Sequence, residues 1–233
     1  MVTRILSTES FVEEKQKETE LTLYAKVNDF EYFDKVKTYR EIIQLQASLG
    51  ASQNCRCRKE MRYKDGIAIS ETPNYSFTVK ANGKKSRNLS IKTEYNFTVD
   101  EDFFQYFLET ADTRQIKKRY TFKVSDYEFK IISNGKEKDI VVPYLNFEID
   151  IFEKLNGYRS NWVKIDIELD KAFAYIRENY DNVDDIVMSV KLSLLPMALK
   201  QGFIEKEATA EQKKCLEDLW KYEFKDTLGK KGL

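Results

Sequence analysis

The sequence predicts an α+β protein: an eight-stranded antiparallel β-barrel with flanking helices and a C-terminal helical extension. Three observations predict it. Several segments alternate apolar and charged residues with a period of two, as a strand does when its faces meet different surroundings. Thus Glu148 and Asp150 alternate with Phe147, Ile149 and Ile151, and Lys164, Asp166 and Glu168 alternate with Val163, Ile165, Ile167 and Leu169. About eight such segments follow one another, an arrangement that suits a barrel without open edges. After Asp170 the pattern turns helical to the end, with Pro196 as a break. Residues 1–170 are accordingly read as the barrel domain and residues 171–233 as a helical extension packed on it.

The elements follow in order. A first strand covers residues 17–26, with Glu18 and Glu20 on one face and Leu21 and Leu23 on the other. Asn28 and Asp29 offer an N-cap to a helix over residues 30–49, which Gly50 stops. Strands are expected over 54–62, 67–70 and 75–80, with turns at Lys64-Asp65-Gly66 and Asn82-Gly83. A strand over 89–99 leads to Asp100, which caps a short helix through Phe103, Phe104, Phe107 and Leu108. Further strands cover 117–124 and 127–132, divided by Ser125-Asp126, and Asn134-Gly135 makes a turn. The last two strands run over 145–153 and 162–169.

Composition narrows the chemistry. The chain has 233 residues, with 39 basic and 39 acidic side chains and a net charge of +0, so it has no overall attraction to nucleic acid or anionic membranes. It contains no histidine, which removes the commonest general base and any histidine-based zinc site. A serine or cysteine nucleophile would lack its usual partner, and no phosphate-binding glycine loop is present. Cys55, Cys57 and Cys215 imply a reducing compartment, with Cys55 and Cys57 on one strand face as core residues. No apolar run is long enough to span a bilayer, and the first 17 residues lack a signal-peptide core. A cytoplasmic protein without a membrane partner is the expectation.

The charged faces have two readings. An antiparallel sheet packed on one side shows the same alternation with its charges simply in water. Here, however, acids fall on the first and last two strands. Bases fall on the middle ones: Arg56, Arg58, Lys80, Lys92, Lys117 and Arg119. If one interior collects both sets, the bases neutralise phosphate oxygens and the hard carboxylates hold Mg²⁺ or Mn²⁺.

These residues resemble the CYTH superfamily, the triphosphate tunnel metalloenzymes. Glu18-Thr19-Glu20-Leu21-Thr22 is similar to the family's opening Glu-x-Glu-x-Lys strand, with Thr22 in place of the lysine. Arg56-Cys57-Arg58 resembles its Arg-x-Arg strand, and the segment ending at Lys80 and the run Lys117-Lys118-Arg119 resemble its basic strands. The segments around Glu148 and Asp150 and around Asp166 and Glu168 resemble its closing hairpin. The likeness covers residues 17–170.

The resemblance implies a triphosphate tunnel and metal-dependent hydrolysis of inorganic triphosphate, a nucleoside triphosphate or an RNA 5′-triphosphate. The alternatives it leaves are a non-catalytic nucleotide or polyphosphate binder and an adenylate-cyclase-like activity. It implies Glu18, Glu20 and Glu168 as catalytic carboxylates. Arg56, Arg58, Lys80, Lys92, Lys117 and Arg119 would be substrate contacts. Glu18, Glu20, Glu148, Asp150 and Glu168 would be metal ligands, with Glu94 and Asp166 behind them. Such chemistry rests on positioning and charge neutralisation and needs no histidine. A small triphosphate or nucleotide, an RNA 5′ end and a second copy of the chain in a homodimer are the expected partners.

Overall fold

A computed structural model describes residues 14–27, 30–48, 54–86, 89–154 and 156–188. Within them lie ten strands and three helices: β1 (Glu14–Lys26), α1 (Glu31–Lys35), β2 (Tyr39–Ser48), β3 (Asn54–Lys64), β4 (Ile67–Ala68), β5 (Asn74–Ser86), β6 (Leu89–Thr98), α2 (Glu101–Thr110), β7 (Thr113–Ser133), β8 (Lys136–Glu153), β9 (Arg159–Glu168), α3 (Asp170–Asn179) and β10 (Val183–Met188). The fold class is α+β, one antiparallel sheet with few helices. Its strand order is β10-β7-β2-β3-β5-β6-β1-β9-β8, with β4 beside β3 and a further ladder joining β7 to β8. The Thr113–Arg119 stretch of β7 pairs with β2, and its ladder with β8 starts at Ile116 and runs to Ser133.

Four expectations are corrected. The expected eight-stranded barrel is, among the described residues, a ten-stranded antiparallel sheet. The helix expected over residues 30–49 is the short α1 followed by β2. Ile43, Leu45 and Ala47 alternate with Gln44 and Gln46, and the odd set packs against α2 as a strand face does. The two strands expected on either side of Ser125-Asp126 are one strand, β7. Asp126 takes a left-handed φ of 52° opposite Pro143, which has no N–H to give to the ladder, and pairing resumes at Tyr127↔Val142. Val183–Met188 is a strand paired with β7 rather than part of a helix. The rest of the expected extension, residues 189–233 with Cys215, lies outside the described residues.

Two apolar clusters hold the sheet. The larger joins Leu23 and Ala25 of β1, Phe147, Ile149 and Ile151 of β8, Val163, Ile165 and Ile167 of β9 and Ile176 of α3. The smaller seats α2 through Phe104, Phe107 and Leu108 on Leu45, Cys55 and Cys57. Asp100 caps α2, accepting from Phe103 N–H at 2.8 Å. Both cysteines are free and buried, and burial pushes the Cys57 thiol up to about 12, as suits an inert core residue. β1, β2, β3, β9 and the Leu145–Ile151 part of β8 give odd-numbered residues to these clusters, whereas the first part of β7 gives Tyr120; the opposite face carries the charges, among them Lys117 and Arg119 of β7 and Glu148, Asp150 and Asp166. Among the described residues no helix is long and apolar enough to cross a membrane.

Candidate functional site

The charged face is built by register. On β7 and β8, Arg119 is the ladder partner of Asp150, and Asp150 is in turn the partner of Lys164 on β9. Asp166 lies beside Glu148 on one side and Thr22 of β1 on the other. These side chains meet. The Arg119 guanidinium grips both oxygens of Asp150, donating from Nη2 at 2.7 Å, and also bonds Glu148. Lys117 Nζ donates to Asp150 Oδ2 at 2.6 Å, and Arg40 holds the other oxygen of Glu148. Lys164 pairs with Asp166 Oδ2, and Thr22 Oγ1 donates to Asp166 Oδ1 at 2.8 Å.

A second group lies on β3, β5 and β6. Glu94 pairs with Lys80 and accepts from Arg56 Nη2 at 3.2 Å. The Arg56 Nε is buried without a hydrogen-bond partner among the described residues. Between the two groups stands Arg58, whose Nε donates to Gln44 Oε1 at 3.0 Å.

The electrostatics separate these groups. Burial works against the charge of Asp150, yet Arg119 and Lys117 hold its carboxyl well below the usual range. Burial and then Lys164 and Arg119 act in the same opposed way on Asp166, with a net depression. Arg119 is raised by Asp150 against its burial. Lys117 is lowered well below an ordinary lysine, by burial first and by Arg119 next. Arg58 is pushed down to about 9 by burial, then by Arg56 and Arg119.

The structure therefore brings together Arg58, Lys117, Arg119, Glu148 and Asp150, and places Arg56 and Lys80 with Glu94. Glu20 and Glu168 are ladder partners on β1 and β9. The backbones of Glu18 and Lys92 pair across β1 and β6, but their side chains lie outside the described residues. Sequence reasoning missed Arg40 and Gln44. Arg40 and Gln44 sit in the segment taken for a helix, where the alternation from Ile43 to Ala47 was the signal. Lys164 was seen in an alternating segment but given no role.

The metal set fits a hard divalent ion only in part. Among the described residues no group of three or more Cys, Asp or Glu side chains is placed to hold one. Asp150 does not fit: Arg119 and Lys117 occupy both its oxygens. Glu148 is shared between Arg119 and Arg40. Glu168 differs: among the described residues its hydrogen bond comes from Asn146 Nδ2, at 3.0 Å. Burial raises its carboxyl above the usual value, and Glu148 adds to this. The sign follows. A carboxyl raised by folding favours the fold below its ordinary value, and that contribution is lost as pH rises through the folded value. Glu168→Gln is therefore expected to hold or raise thermal stability at pH 7 and to flatten its decline above pH ~4.5, as melting curves across pH will read.

No family model and no curated protein matches the chain. Among solved structures it is similar to a putative adenylyl cyclase from Hippeastrum, described as having a dominant triphosphatase activity. The identity is 12%, over 69% of this chain and 87% of that one, with a TM-score of 0.37. Likeness of that degree decides nothing about chemistry, which has to come from the side chains themselves.

Proposed function

We propose that the strands enclose a charged tunnel, that this tunnel binds a short polyphosphate or the triphosphate of a nucleotide, and that the chain hydrolyses it with a divalent metal ion. The observation that carries the reading is Arg58. Its hydrogen bond goes to the neutral Gln44, while Arg56 and Arg119 press on its charge. Arginine does not give up its proton in proteins, so the depression, due first to burial and then to Arg56 and Arg119, marks a buried cation with like charges beside it. A multivalent anion relieves their repulsion, and phosphate oxygens match the guanidinium fork. Lys117, lowered with Arg119 and Arg58 among its causes, belongs to the same group of cations. The further ladder between β8, the last strand of the order, and β7, the second, supports a tunnel.

Glu20 and Glu168, with Glu18 two residues along β1, are the carboxylates that would hold Mg²⁺ or Mn²⁺. Polarisation of a phosphoryl oxygen and neutralisation of the leaving phosphate are what such an ion supplies when bound. The chain's own part is to grip and align the phosphates through Arg58, Arg56 and Lys80, and to keep Arg119 fixed by Asp150. A second reading, a binder without turnover, is favoured by the engagement of Asp150 and Glu148 with cations.

The purified chain is to be incubated with tripolyphosphate, ATP or 5′-triphosphorylated RNA, with Mg²⁺ or Mn²⁺, and orthophosphate, pyrophosphate and cyclic nucleotide measured. Orthophosphate released only with metal is the expected result. Binding without product supports the binder, cyclic nucleotide a cyclase, and failure to bind any of the three overturns the reading.

A further inference from the structure

We infer that Lys164 is the substrate-gripping cation of the acidic wall formed by β1, β8 and β9, its ammonium held on Asp166 until an anion displaces it. This rests on the polyphosphate reading above. The argument begins at Asp166, whose two oxygens serve two neighbours: Oδ1 accepts from Thr22 on β1 and Oδ2 pairs with Lys164 on β9 itself. The lysine ammonium is thus one carboxylate away from the Thr22 hydroxyl. A threonine ends at that hydrogen bond, and it cannot bring a positive charge to the site.

The other cations that touch this wall are committed. Arg119 is locked on Asp150 and Glu148, and Lys117 lies on Asp150 with its side chain only 5% exposed. Lys164, like Arg40 on Glu148, is more open: its side chain is 28% exposed, although Asp166 beside it is 3% exposed. An anion thus has a path to the Lys164 side chain that it lacks to Lys117. Burial works against its charge, but Asp166, Glu20 and Asp150 more than offset this and keep its pKa above that of a free lysine. It therefore stays charged through the neutral range. Glu20 among its neighbours ties it to the Glu20–Glu168 pair that would hold the divalent ion. A phosphate bound there meets a cation from Lys164 with threonine, not lysine, at position 22 of β1.

The test uses the full chain and tripolyphosphate, with affinity read by isothermal titration and folding read by melting. Lys164→Gln is expected to weaken binding about ten- to a hundredfold, the loss of one hydrogen bond to a charged group. Lys164→Arg, which keeps the charge, is expected to retain most of the affinity. The double variant Thr22→Lys with Lys164→Gln moves the ammonium across one ladder pair while leaving it beside Asp166. It is expected to bind within about threefold of the wild type, well inside the loss set by one such bond. This variant also decides the matter if Lys164→Gln alone does not fold. Wild-type affinity in a folded Lys164→Gln overturns the assignment, and so does a folded double variant that binds no better than Lys164→Gln. Loss of binding in Arg58→Gln beside unchanged binding in Lys164→Gln removes Lys164 but leaves the polyphosphate reading in place. A wild-type chain that does not bind tripolyphosphate removes both.

Discussion

Replacing Arg119 with methionine is expected to destabilise the fold by about 3–5 kcal/mol, the usual cost of stranding a buried charge by removing its partner. Asp150 is fully buried, and Arg119 contacts both of its oxygens and reaches Glu148 as well. Lys117 remains beside Asp150, but one ammonium cannot replace a two-pronged guanidinium that also serves a second carboxylate. At roughly 2–4 °C per kcal/mol for a chain of this size, the fall in melting temperature is large. The pH dependence has a definite sign. A carboxyl depressed by folding contributes stability above its ordinary value, and that contribution fades as pH falls through the folded value. The wild type therefore loses the Asp150 contribution only well below pH ~4. In Arg119→Met, protonation relieves the stranded carboxyl at higher pH, so the deficit narrows on acidification. Urea denaturation at pH 7 and pH 4 measures both. An equal deficit at the two values would show that Asp150 is not the source.

Arg58→Gln is expected to behave in the opposite way. Its Nε donates to the neutral Gln44, and its charge is opposed by burial, Arg56 and Arg119. Removing it relieves repulsion, so stability should hold or rise. Tripolyphosphate affinity should fall by about ten- to a hundredfold or more, because at least one charge-assisted contact is lost. Affinity retained, with stability lost, would mean that Arg58 is a packing residue. The two arginines, two strands apart, are thus separated by experiment: one maintains the structure and the other waits for a ligand.

Much of this was legible in the sequence, for a physical reason. Over Phe147–Ile151 of β8 and Val163–Glu168 of β9 one face is apolar and the other charged, and a period of two then points to a strand. β2 was hidden because Ile42 and Ile43 stand side by side, one on each face, inside a stretch bounded by a cap signal and Gly50. That pattern imitates a helix, and it concealed Arg40, the partner of Glu148. The identity of the basic and acidic strands was readable, but not who pairs with whom. Arg119 meets Asp150 because β7 and β8 are joined in one particular register, fixed by the Asn134-Gly135 turn with its two left-handed residues. Asp150 as a metal ligand fails for the same reason: a carboxylate list carries no information about the cations that register sets across from it.

The ladders also differ in how far along the chain they reach, and this bears on the order of assembly. β7 and β8 fold back on one another across a two-residue turn, so their pairing closes only short loops. β1 must find β9, joining Glu20 to Glu168 across most of the chain. Long-range contacts carry the greater entropic cost and are made late. The paired Arg119 and Asp150 therefore belong to the early, local part of folding. The Glu20–Glu168 pair comes into being only when the chain's distant segments meet. A folding chain would present its basic strands β3 and β7 before β1, which carries Glu18 and Glu20, is in place. During that interval its exposed strands are cationic, and a cellular polyanion could serve as a template for the closing step, which a refolding-rate comparison with and without tripolyphosphate would reveal.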